Sequence, residues 1–307
     1  MERPYVSVVI PTYRHAWELD QVMYSILVKG KGVSFHEYEV IIINDDPDDV
    51  ATKSVAERYN RRGGNVRYVE VYDSKQSGIT NATRAGNIGA RTYARGDLLI
   101  MVVDSARIVT PLAVRKTRDE FEKFGPNITT TMHPYHIGRH YTDQSWTKEQ
   151  CRALMEEIKW KRDPYRLMRV RADTYISKTG NIVESTFQGI MKDHFLSING
   201  WNEGFASWGP YNLDLWRRCT RPEPAGGVQK VGVPGQWGKI GLGLRPINID
   251  GEATFHIKHD TTVGRDAGNL KSDIAKMWKY YETVGECIVV NTDKPSWGMG
   301  DSREVEL

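Results

Sequence analysis

The sequence predicts an α/β chain built on a doubly wound, mostly parallel sheet with helices on both faces. Three observations lead there. Short apolar runs rich in β-branched residues alternate with segments of helical periodicity through the first third of the chain. The runs are continuous, as in strands buried on both faces, rather than alternating as in half-exposed ones. Two of them end on carboxylates, Asp45 and Asp104, at the strand ends where open α/β sheets bind ligands.

Each element follows from its local pattern. Val6–Ile10 reads as the first buried strand, ended by Pro11. From Trp17 to Val28, the residues Trp17, Val22, Met23, Ile26 and Leu27 recur with a helical period. Val40–Ile43 is the second strand and closes on Asn44-Asp45-Asp46-Pro47. Val50–Tyr59 is a short helix and Val66–Val71 a third strand. Ser77–Arg95 has no proline and carries Ala82, Ala85, Gly86, Gly89 and Ala90, so it reads as a helix packed closely on the sheet. Leu98–Val103 is six apolar residues in a row, ending on Asp104. Burying that carboxylate alone would cost several kcal/mol, so a cation or donor is expected beside it. Beyond Pro111 the pattern loosens. An amphipathic helix is expected over 112–124, a polar, aromatic and basic stretch over 131–180, a Gly- and Pro-rich loop over 221–245, a helix over Leu270–Thr283, and a polar tail from Asp293. The organisation expected is a nucleotide-binding half over 1–110, a second half of the same domain over 111–262, and a C-terminal helix and tail over 263–307.

Composition excludes several classes. A chain of 307 residues with 39% hydrophobic and 26% charged residues is globular rather than disordered or fibrous. A net charge of +3 makes no demand for nucleic acid or an anionic membrane. Three scattered cysteines, Cys151, Cys219 and Cys287, argue against a disulfide framework and for a reducing compartment. No apolar run approaches the roughly 20 residues of a membrane span, and the first strand begins almost at once, so a cytoplasmic protein is expected. No GxGxxG follows the first strand and no GxxxxGK[ST] occurs, which disfavours a dinucleotide fold or a P-loop enzyme.

Four segments in order carry a family resemblance. They are Val6-Ser-Val-Val-Ile-Pro-Thr-Tyr13, Ile41-Ile-Ile-Asn-Asp-Asp46, Gly78 to Gly96 leading into the strand that ends at Asp104, and Gly200 to Arg217. Together they resemble the nucleotide-sugar glycosyltransferases of the GT-A fold, family 2-like, over roughly residues 5–260. The expected architecture is a Rossmann-like nucleotide half and an acceptor-side half. His15-Ala-Trp17 with Val22–Leu27, and Trp208-Gly209 with Asn212-Leu213-Asp214, look closer to the polypeptide N-acetylgalactosaminyltransferases.

The resemblance implies a transferase moving a hexosyl or N-acetylhexosaminyl group from a UDP-sugar, such as a UDP-N-acetylhexosamine, to a hydroxyl on a protein, a glycan or a modified nucleic acid. It implies donor contacts from Pro11, Thr12, Tyr13, Asp45, Gly78, Arg84 and Asp104. Asp45 matches the residue that binds uracil; its segment also fits a turn capping the next helix. Arg84 would pair with phosphate or with Asp104, or lie exposed. The family's metal motif is Asp-x-Asp or Asp-x-His, and here it reads Asp104-Ser105-Ala106. Three alternatives follow: Mn²⁺ or Mg²⁺ held by Asp104 with one of His256 and His259, His256 first, from Phe255-His-Ile-Lys-His259, work without metal, or a decayed site. The catalytic candidates are Asn212, Asp214 and Trp208. Inverting relatives carry Glu-Asp where this chain has Tyr211-Asn212, and the retaining ones carry Glu-Asn, so the lean is to retention. Asp214 remains a candidate base, a sugar contact, or a structural partner of Arg217. Of Trp201, Phe205 and Trp208, two are expected in the core and Trp208 as the sugar platform. Two other readings stay open: a degenerate fold of this kind that binds nucleotide sugar or glycan without turnover, and a nucleotidyltransferase.

Overall fold

The computed structural model describes residues 5–30, 33, 34, 36–73, 80–137, 172–174, 186–205, 211–220, 229, 230, 237, 238, 242–257, 291 and 296–307. Most of the expected polar, aromatic and basic stretch at 131–180 and the helix at 270–283 lie outside them, as does most of the loop at 221–245.

The first half alternates as its apolar runs require. In order come β1 (Val6–Thr12), α1 (Ala16–Met23, continued by a π-helical turn over Tyr24–Val28), β2 (Tyr38–Asn44), α2 (Val50–Asn60), β3 (Val66–Val71), α3 (Ala82–Ile88, continued by a π turn over Gly89–Tyr93) and β4 (Leu98–Val102). Then follow β5 (Arg107–Val109), α4 (Ala113–Phe124), β6 (Ile128–Ile137), β7 (Ala172–Thr174), β8 (Phe187–Met191), α5 (Lys192–Ser197) and α6 (Tyr211–Thr220). A two-residue pair, β9 (Gln229–Lys230) and β10 (Trp237–Gly238), sits inside the segment expected to be all loop; β11 (Arg245–Ile257) and β12 (Ser302–Val305) complete the order.

The strands run β12-β3-β2-β1-β4-β8-β6-β11-β5, with β7 beside β6. The central block β3-β2-β1-β4 is parallel, and β8 joins β4 antiparallel. Alternate residues of these strands feed two separate cores. Val8, Ile10, Val40, Ile42, Ile100 and Val102 pack under α1 and α2. Val9, Ile41, Ile43, Leu99 and Met101 pack under α3, α5 and α6. Both faces are therefore covered, which is why these strands read as unbroken apolar runs.

The small residues of α3 have a direct use. A Cβ on Gly86 would lie 2.1 Å from the ring of Trp201, and one on Gly89 2.7 Å from Val9, so only glycine lets this helix sit on the sheet. Trp201 and Phe205 are core residues, 1% and 4% exposed.

The C-terminal tail expectation is corrected. Residues 302–305 form β12, antiparallel to β3 from Ser302↔Val71 to Val305↔Tyr68. The cause is charge pairing that no apolar pattern reveals. Arg67 of β3 grips both carboxylate oxygens of Glu304 at 2.6 Å. Its other arm meets Glu39 at 3.2 Å, and Glu39 in turn accepts from Ser7 Oγ at 2.6 Å and from the backbone N–H of Arg95 at 2.7 Å.

The hydrogen bonds from Arg67 hold the Glu304 carboxyl below its ordinary value of 4.5, against the opposing effect of partial burial. A carboxyl depressed in the fold stabilises above its unfolded pKa, and that contribution is lost as pH falls through the lower folded value. Glu304→Gln should therefore lower the thermal midpoint at pH 7. The gap to the wild type should close as the buffer is taken below about pH 4.5, read by thermal melts of both proteins across the acid range.

Candidate active site

Parallel strands bring their carboxyl ends to one rim, and Pro11, Thr12, Tyr13, Asp45 and Asp104 of the expected donor residues lie there. Thr12 ends β1. Its carbonyl accepts from the Asp45 N–H at 2.9 Å, and its hydroxyl donates to Ser105 Oγ at 3.0 Å. Pro11 lies within β1, paired with Ile43. Tyr13 follows at the rim, with the Arg14 guanidinium 5.0 Å from its ring centroid. Burial pushes the Tyr13 phenol up, opposed by Arg14, so the hydroxyl stays neutral and able to donate. Arg14 adopts φ +54°, uncommon outside glycine, and its Nε holds Asp46 at 2.5 Å.

Asp45 is buried, and its Oδ2 accepts from the backbone N–H of Asn81 at 2.9 Å. The helix-cap alternative falls to another residue: Asp49 caps α2, accepting from Ala51 and Thr52 N–H at 3.1 and 3.3 Å.

Asp104 has two of the expected kinds of company. Its Oδ1 accepts from the Ala106 N–H at 2.9 Å, a local turn that uses the alanine backbone. Its Oδ2 accepts from Arg107 Nε at 3.1 Å, and His256 Nε2 stands 4.0 Å from the same oxygen. The carboxylate is 27% exposed, so it is partnered yet reachable. The pairing comes from the sheet: β11 lies antiparallel on β5 with His256 opposite Arg107. His256 thus arrives from 152 positions down the chain because two strands are neighbours. Arg107 was missed. Its only sequence signal is its place three residues after Asp104.

Arg84 goes elsewhere. Its Nε binds Asp73 at 2.8 Å and its Nη1 faces Glu203 at 3.8 Å. Gly78, Trp208 and His259 lie outside the described residues. Among the described residues no group of three or more His, Cys, Asp and Glu comes together to hold a metal. The pair present is nonetheless a suitable one. A carboxylate and an imidazole 4.0 Å apart offer one oxygen and one nitrogen, and Mg²⁺ and Mn²⁺ fill their remaining positions with phosphate oxygens and water.

On the acceptor side, α6 opens with three residues that do different things. Tyr211 donates to the Val103 carbonyl at 2.9 Å and packs edge-on to Trp201 at 5.3 Å, so it ties the helix to the residue before Asp104. Asn212 is buried beside it. Asp214 pairs with Arg218, one turn on, and not with Arg217. Its Oδ2 accepts from Arg218 Nε and Nη2 at 2.9 and 2.7 Å. Arg218 also donates to the carbonyls of Ile198 and Gly200 at 2.8 and 2.7 Å. Both partners are buried, 5% and 2% exposed. An ion pair this dry holds the 198–200 turn, and removing one partner strands the other charge.

Residues 7–182 match the family described as Glycosyl transferase family 2. A search of the curated proteins gives no match. Among solved structures, GalNAc-T7 with UDP, GalNAc and Mn²⁺ is 14% identical, with 84% of this chain and 45% of that one covered and a TM-score of 0.52. The mannosyltransferase PcManGT of Pyrobaculum calidifontis, with GDP-Man and Mn²⁺, is 13% identical, with 95% and 68% covered and a TM-score of 0.52. S. aureus TarS 1–349 with UDP is 15% identical, with 69% and 54% covered and a TM-score of 0.47. The chain spans 32% of the longer TarS chain and about half of the 1–349 one. No helix among the described residues is long and apolar enough to cross a membrane.

The Asp214–Arg218 pair makes a prediction. Asp214→Asn should destabilise the fold by about 3 kcal/mol, seen as a shifted urea midpoint. A surface carboxylate serving only as a base would leave that midpoint in place.

Proposed function

The chain belongs to glycosyl transferase family 2, and we propose that it transfers a sugar from a UDP-sugar to a hydroxyl acceptor. The observation that carries this reading is the Asp104–His256 pair beside Arg107, on the same rim as Asp45. Asp45 is a carboxylate able to accept the ring N–H of uracil. Guanine also offers ring and amino N–H groups, and one similar fold is solved in complex with GDP-Man, so the donor base is part of the test.

Asp104 and His256 would hold a divalent cation, Mn²⁺ or Mg²⁺. Such an ion would supply positive charge to offset that of the departing diphosphate. The protein's own groups supply the rest. Arg107 braces Asp104 and adds positive charge beside it. The Ala106 N–H fixes the carboxylate's rotation. Tyr211 ties the acceptor helix to the same strand end, so donor and acceptor halves share one frame and the reacting groups are held in register.

Retention of anomeric configuration is the finer proposal. Asp214 is committed to Arg218, and Asn212 is no base at neutral pH. A route in which the leaving diphosphate takes the acceptor proton needs only positioning and charge stabilisation. The second reading, nucleotide-sugar binding without turnover, draws on the same committed Asp214.

One assay addresses donor, turnover and metal. Purified protein with a panel of UDP- and GDP-sugars, in Mn²⁺, Mg²⁺ or EDTA, should release UDP from a UDP-sugar, slowly with water and faster with an acceptor. Asp104→Ala should lower that rate on the order of a hundredfold. Binding of UDP-sugar with no release would leave the second reading in its place.

NMR of the product should show the donor's anomeric configuration kept. An inverted linkage would reverse the assignment and return attention to a protein base.

A further inference from the structure

We propose that Glu203 is a positioning residue that couples the C-terminal segment to the nucleobase carboxylate Asp45; this rests on the reading of Asp45 given above. Glu203 is 4% exposed and lies in the turn before α6. No step of the transfer uses it. A carboxylate buried this deeply is costly unless its partners are fixed.

Its partners come from three separated segments. Oε1 accepts from Asn87 Nδ2 of α3 at 3.1 Å and from the Gly298 N–H at 2.8 Å. The Glu203 N–H donates to Asn291 Oδ1 at 3.1 Å. The Glu203 carbonyl accepts from Asn81 Nδ2 at 3.0 Å. Oε2 has no hydrogen-bond partner among the described residues and faces Arg84 Nη1 at 3.8 Å.

Asn81 is the link that makes this a functional junction. Its backbone N–H is the donor to Asp45 Oδ2 at 2.9 Å. Its side chain caps α3, with Oδ1 accepting from the Arg84 N–H at 2.9 Å, and its Nδ2 ends on Glu203. One residue therefore carries three constraints. The position of the N–H that holds Asp45 depends on Glu203 staying in place.

The C-terminal segment is what keeps Glu203 in place. Gly298 has φ +61°, and a Cβ there would stand 2.9 Å from the Asn87 carbonyl, so the strand of chain passes close over α3. The Arg91 guanidinium lies 4.7 Å from the Trp297 ring centroid and donates to the Trp297 carbonyl. Thr92 Oγ1 donates to the Gly298 carbonyl at 3.0 Å. Beyond Gly300 the chain joins the sheet edge as β12. The segment is held at Trp297–Gly298 by Arg91 and Thr92 and at the sheet edge by β12, and Glu203 bonds it at the first of these points. All of it lies past residue 182, where the family match stops.

The test measures UDP affinity of the full chain by calorimetry, and KM and kcat with the active donor, well below the melting temperature. Glu203→Ala should weaken UDP by about tenfold or more, with KM raised and kcat changed less than about threefold. Glu203→Gln keeps an acceptor for Asn87 and Gly298 and should restore most of the affinity. Asn81→Ser keeps the helix cap but loses the bond to Glu203, and should weaken UDP in the same direction. A lowered melting point with UDP affinity within about twofold of wild type would make Glu203 purely structural and overturn the proposal. If Glu203→Ala does not fold, Asn81→Ser decides by the same criterion. Absence of UDP binding by the wild type overturns the reading of the site and this proposal with it. Wild-type binding with unchanged binding by the variants overturns this proposal alone.

Discussion

A strand buried on both faces can place polar chemistry only at its ends, and that constraint organises this molecule. β1, β2 and β4 are walled by two apolar cores, so their polar residues divide between two rims. The amino rim is closed. Ser7, Glu39, Arg67 and the Arg95 N–H saturate one another, and Glu304 seals the outside. The carboxyl rim is organised differently. Asp45 and Asp104 accept from the backbone N–H groups of Asn81 and Ala106, which orients each carboxylate at the rim.

The two rims show why similar residue types end with different fates. Arg67 has its carboxylates across adjacent strands and serves the fold. Arg107 meets a carboxylate at the rim that stays 27% exposed and serves the site. Arg218 is buried and anchors a turn through carbonyls. Charge alone does not separate these roles; depth and the identity of the acceptors do.

The strand-ending carboxylates, the helix of small residues and the acceptor-side segment were all legible as patterns. Each rests on local periodicity or on an ordered set of motifs. The partner of Asp214 was legible only to within one residue, since Arg217 and Arg218 both lie about a turn away. The strand β12 was not legible. Ser302-Arg-Glu-Val305 is short and polar, and its stability comes from β3 ladder bonds and Arg67 rather than from burial. Glu203 was equally silent, because a buried carboxylate looks like an exposed one until its partners from α3, Asn291 and Gly298 are assembled.

What the sequence alone determined is therefore the layered α/β architecture and the rim that gathers the strand-ending carboxylates Asp45 and Asp104. Apolar runs dictate strands buried on both faces, and parallel strands place their ends together. What only the tertiary structure decided is company. His256 reaches Asp104 because β11 lies on β5, Asp214 is spent on Arg218, and the C-terminal segment closes over α3 to hold Glu203. Local pattern reports which residues must be hidden. It carries no record of which distant strand or turn will supply the partner, and that choice fixes what each carboxylate can do.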